Sequence, residues 1–92
     1  MKVVDHQPAD WFLLASNEDF FLDVNCNRSF FGFSAAIHLT REEVELYARG
    51  GRHYIQELAN QVSGKSDPSY PRNIREEEIL KAIHEAIMAS KN

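Results

Sequence analysis

Apolar and polar residues alternate with a period of two through the first part of the chain, and the period then lengthens to that of a helix. Phe20, Leu22, Val24 and Cys26 alternate with Phe21, Asp23, Asn25 and Asn27. Residues two apart share one face of a strand, so one face here is oily and the other mostly polar. After Arg28-Ser29 a second run sets Phe31, Phe33, Ala35, Ile37 and Leu39 against Phe30, Gly32, Ser34, Ala36 and His38. Joining the two oily sets requires paired residue numbers with an odd sum, because a one-residue slip exchanges the faces. A sum of 57 pairs Leu22 with Ala35 and Val24 with Phe33, and leaves Arg28-Ser29 as a two-residue connection. That dipeptide is not a favoured hairpin turn, and a longer loop with a bulge is the alternative.

Upstream, residues 11–15 are apolar on both faces and are followed by the turn residues Ser16-Asn17-Glu18-Asp19. They predict a first strand. If Leu13 faces Leu22, Trp11 joins the core side while Phe12 and Leu14 lie on the other; the alternative register reverses this. A strand apolar on both sides calls for cover on both sides, from the N-terminal segment or a second subunit. Val3-Val4 offers a short extra edge strand, broken by Asp5, His6, Gln7 and Pro8.

Thr40-Arg41-Glu42-Glu43 is a capping box, with Leu39 and Val44 at the positions of a hydrophobic staple. Val44, Ala48, Gly51, Ile55, Leu58 and Val62 then recur at steps of three and four, predicting one helix over about 41–62 that bends at Gly50-Gly51. A stop at Gly50 is the competing reading. Residues 63–73 form a loop, and Asn73-Ile74-Arg75-Glu76 repeats the capping pattern before a helix over about 74–89. The fold expected is a single α+β domain spanning 1–92. It has a three-stranded antiparallel meander (about 11–15, 20–27 and 30–39) with both helices packed on one face.

Composition narrows the function. The net charge is −4 and 43% of residues are hydrophobic. Residues 1–40 carry −3, residues 41–75 carry +1 and residues 76–92 carry −2. This argues against a nucleic-acid binder, which needs a basic footprint. With one cysteine, no signal peptide and no long apolar span, a cytoplasmic protein off the membrane is expected. Cys26 with His6, His38, His53 and His84 shares no metal-ligand spacing, so neither metal nor cofactor is expected. Gly64-Lys65-Ser66 lacks the upstream glycine of a P-loop, since position 59 is Ala, and 23–34 lacks the glycine and glutamate of a calcium loop. Arg49 and Arg52, flanking Gly50-Gly51, are the candidate anion site.

The polar strand face is the candidate partner surface: Asp23, Asn25, Asn27, Ser34 and His38, with the aromatics Phe21 and Phe30 beside them. The order Leu22-Asp23-Val24-Asn25-Cys26-Asn27, then Ile37-His38-Leu39, then Thr40-Arg41-Glu42-Glu43 with Tyr47 and Gly51, resembles a group of short bacterial proteins. Some similar small proteins are immunity partners of toxins. The resemblance implies an immunity-type inhibitor or adaptor; the leading expectation is a non-enzymatic protein-binding module acting through the exposed sheet face or an acidic helix, whose acidic surface steers it onto a basic partner. Two further readings stand beside it: a small-ligand or enzymatic domain using His38, Asp23 and Asn25, and a homodimer closed by an edge strand or the C-terminal helix. The ligand reading requires a perturbed group in a cleft.

Overall fold

A computed structural model describes residues 1–8, 10–25, 34–65 and 70–90, with Ser34 and Lys65 described by their backbone alone. Four strands, β1 (Lys2–Gln7), β2 (Trp11–Ser16), β3 (Asp19–Asn25) and β4 (Ser34–His38), form an antiparallel sheet in chain order. Helices α1 (Arg41–Lys65) and α2 (Glu77–Ser90) complete an α+β fold.

The β2–β3 register is the first of the two considered: Leu13 pairs with Leu22 and Trp11 with Val24. Trp11 and Leu13 are fully buried on one side of the sheet with Leu22, Val24, Ala35 and Ile37. The β3–β4 register differs from the expected one by two residues, pairing Leu22 with Ile37 and Val24 with Ala35. A two-residue slip returns every side chain to its own face, so hydrophobic patterning cannot distinguish the two registers. The connection expected at Arg28-Ser29, together with Cys26, Asn27 and Phe30, lies outside the described residues.

The extra N-terminal strand is present and longer than its Val-Val signal. It runs through Asp5, His6 and Gln7, residues expected to break it, and absorbs an irregularity between Val3 and Asp5. It ends before Pro8, where the Asp10 amide donates to the Gln7 carbonyl at 3.0 Å.

The helices do not share a face of the sheet, which corrects the expected layering. Ile55, Leu58, Ala59 and Val62 of α1 pack on the side bearing Trp11 and Leu22. Ile83, Ala86 and Ile87 of α2, with Ile74, cover Leu14, Phe21 and Ala36 on the opposite side. The physical reason lies in β2: a strand apolar on both faces needs two covers, and the chain supplies both itself.

The capping box forms as read. The Thr40 amide donates to Glu43 Oε1 at 2.8 Å, and the Glu43 amide donates to Thr40 Oγ1 at 3.2 Å. The helix continues to Lys65, three residues past the expected end, and breaks direction at Gly51 (φ 62°, ψ −146°). The second helix begins at Glu77 instead of about 74. Asn73 is not its cap: Asn73 Oδ1 accepts from the Ala36 amide at 3.2 Å, and the Ile74 amide donates to the Ala36 carbonyl at 2.8 Å. Residues 73–74 thus occupy the outer edge of β4, and the helix starts where the Leu80 amide reaches the Glu76 carbonyl. Arg72 anchors this segment through Glu43 Oε1 at 2.6 Å and the His38 carbonyl at 3.1 Å.

Candidate functional site

Registry across the sheet brings His6, Phe12, Asp23 and Ala36 into one row on the α2 side. The next row on the same face contains Leu14, Phe21 and His38. Because α2 seals the apolar centre of this face, the polar residues emerge in separate clefts along its flanks. Among the described residues, the polar positions of this face are divided between clefts and do not form one surface.

Asp23 and Asn25 line a groove of about 560 Å³ with His6, Pro8, Asp10, Phe12, and His84, Ile87, Met88 and Ser90 of α2. Phe12 forms part of its floor, stacked on the His6 ring at 5.5 Å with the planes 12° apart. Asp10 is held in place by a relay from the other side of the sheet. The buried Trp11 Nε1–H donates to Gln56 Oε1 at 2.9 Å, and Gln56 Nε2 donates to Asp10 Oδ2 at 3.0 Å. The Asn25 amide donates to the Asp10 carbonyl at 2.8 Å, which joins the β1–β2 turn to the end of β3. Asp23 and His84 also line a second, smaller cavity with Asn73 and Leu80, so they stand between two recesses.

Burial raises the Asp23 carboxyl to about 6, and the charge of His84 opposes that rise only in part. A carboxylate drawn out of water favours its neutral form unless a donor or cation compensates it. Among the described residues no hydrogen bond to the Asp23 carboxyl offsets its burial. The arrangement can therefore hold a proton near neutral pH or accept a donor from outside the chain.

Phe21 and His38 lie in a different cleft, with Asp19, Pro71, Arg72 and Ile79. Their rings stack at 4.9 Å, and His38 Nε2 lies 3.2 Å from Asp19 Oδ1. Ser34 pairs with Asn25 through the backbone; Asn27 and Phe30 lie outside the described residues. Of the two arginines, Arg49 is exposed on α1, whereas Arg52 reaches back to β1. Arg52 donates to the His6 carbonyl at 2.7 Å and to Gln7 Oε1, and its guanidinium sits 5.6 Å from the Trp11 ring centroid.

Compared with family models, curated proteins and solved structures, the chain matches none. The site is therefore read from its own chemistry. Sequence reasoning missed His6, Asp10, His84 and Met88 as neighbours of Asp23. One signal for α2 was present: Ile83, Ala86 and Ile87 form a stripe at helical spacing, and His84 and Met88 flank it. Which face of the sheet that stripe would cover was not encoded in the spacing.

Proposed function

We propose that this chain is a small acidic binding module, with no reaction of its own, and that its recognition site is the groove between α2 and the β1–β3 face. The observation that carries this reading is the placement of a half-buried carboxyl, Asp23, in a concave site with an apolar floor. Ligand sites typically combine a cavity of roughly 300–1,000 Å³ with a few convergent polar groups and a perturbed ionisable residue. Asp23, Asn25, His6 and His84 supply the polar groups; Phe12, Ile87 and Met88 supply the apolar lining. The net charge of −4 suits a basic partner approaching through solution, whether an immunity-type target or another protein.

A fragment screen observed by protein NMR tests the location and the absence of turnover together. Binders are expected to shift signals of His6, Asp23, His84 and Met88 and to be recovered chemically unchanged. Hits confined to the Phe21–His38 cleft or to the outer face of α1 would remove the groove from consideration.

A further inference from the structure

The groove lining is one-sided in charge. Among the described residues, Asp10 and Asp23 both border it, and no lysine or arginine does. Arg52 is turned to the outer edge of β1, where its guanidinium is held by the His6 carbonyl and Gln7. Asp10 already accepts from Gln56, so Asp23 is the carboxyl left to receive a ligand. A charge-assisted hydrogen bond is roughly twice as strong as one between neutral groups. Imidazole nitrogens can add acceptor sites, and an ammonium brings three donors and no acceptor. Beside these groups Phe12, Ile87 and Met88 offer apolar contact for a carbon chain, Met88 being half-exposed at the rim.

We propose that the groove binds a protonated amine carried on a short apolar chain, with Asp23 as its counter-ion and Phe12, Ile87 and Met88 as the seat of its carbon atoms. This rests on the groove being the recognition site. The same chemistry is offered by a lysine side chain of a protein partner and by a free alkylamine. The titratable groups facing Asp23 are His84 from α2, His6 from β1 and Asp10 from the β1–β2 turn. A proton on Asp23 competes with the amine for the same carboxyl, so acid weakens binding.

The test uses the full chain with n-hexylamine, n-hexanol, hexanoate and a capped peptide bearing one lysine, followed by NMR titration at pH 7.5 and 5. Hexylamine or the lysine peptide is expected to shift the Asp23, His84 and Met88 signals at pH 7.5, and to bind at least tenfold more weakly at pH 5. The amine source is the one that binds tighter of the two. Asp23→Asn should weaken hexylamine at least tenfold while retaining the parent chemical-shift pattern elsewhere. His84→Lys, which places an ammonium on the groove wall from the chain itself, should do the same by a different route. If hexanol or hexanoate occupies the groove as well as hexylamine does, the groove stands and the cation is refuted. If no probe shifts any groove signal, both the cation and the groove are refuted.

Discussion

Asp23 and Glu43 show how a carboxyl group acquires opposite behaviour from its surroundings. Asp23 is raised to about 6, chiefly by burial. Its folded form binds a proton more tightly than the unfolded chain does, so its favourable contribution is complete below the ordinary aspartate range. That contribution is lost as pH rises through about 6. Asp23→Asn should therefore stabilise the protein at pH 7.5 by ~1–2 kcal/mol, allowing for partial solvent screening, and the gain should vanish near pH 4. Urea unfolding at the two pH values checks this, and equal midpoints for variant and parent at both would contradict the burial of the carboxyl. Glu43 runs the other way. Burial acts to raise it, but hydrogen bonds from Arg72 and Thr40 together with the Arg72 charge outweigh that and lower it. Its contribution is present above the ordinary glutamate range and is lost on acidification. The Glu43 cap was legible from Thr40-x-x-Glu43, four residues of one turn. Asp23 was legible as a polar strand residue, but its burial depends on α2, whose residues begin more than fifty positions later.

At the scale of elements, the glycine pair in α1 separates conformation from space. Gly51 has φ 62° and ψ −146°, and nothing lies within 4 Å of where a Cβ would stand. A side chain at 51 would fit, yet that backbone region is essentially reserved for glycine. Gly51→Ala should cost ~1–3 kcal/mol in thermal or urea unfolding. Gly64, also in α1, has open space and no positive φ, so Gly64→Ala should be neutral or stabilise by up to ~1 kcal/mol. If the two substitutions have the same effect, the bend at Gly51 is not a backbone requirement. The stripe from Val44 to Val62 made helix on both sides of the glycine pair legible, but not how it packs: Gly51 interrupts the helical backbone, Ala48 before it is exposed, and the buried positions Ile55, Leu58 and Val62 all follow it. The late start of α2 was not legible. Asn73 carries a good capping side chain, but the open edge of β4 competes for it and wins, since Ala36 would otherwise lack partners for both its amide and its carbonyl.

On the scale of the whole molecule, the sheet is a middle layer with a helix on each side, and α2 both completes the second core and walls the groove. Ile83 is 2% exposed whereas Leu80, on the same helix, is 37% exposed. Ile83→Ala should cost ~2–4 kcal/mol, as buried isoleucine truncations do. Leu80→Ala should change stability by no more than ~0.5 kcal/mol. Urea denaturation measures both, and a comparable loss at the two sites would mean that α2 is not docked through its Ile83 face.

Local signals in the chain determine the centres of β2, β3 and β4, the capped start of α1, the interruption at its glycine pair and the apolar stripe of α2. Each of these arises from neighbours within a few residues, where side-chain period, cap chemistry and backbone freedom act directly. The β3–β4 register, the fate of Asn73 and the side of the sheet that α2 covers are decided only by packing. In each case two arrangements satisfy the same local pattern, and they differ in which distant groups they bury. The groove belongs to this second kind: His6, Asp23 and His84 become neighbours because the sheet registers them and α2 closes over the row.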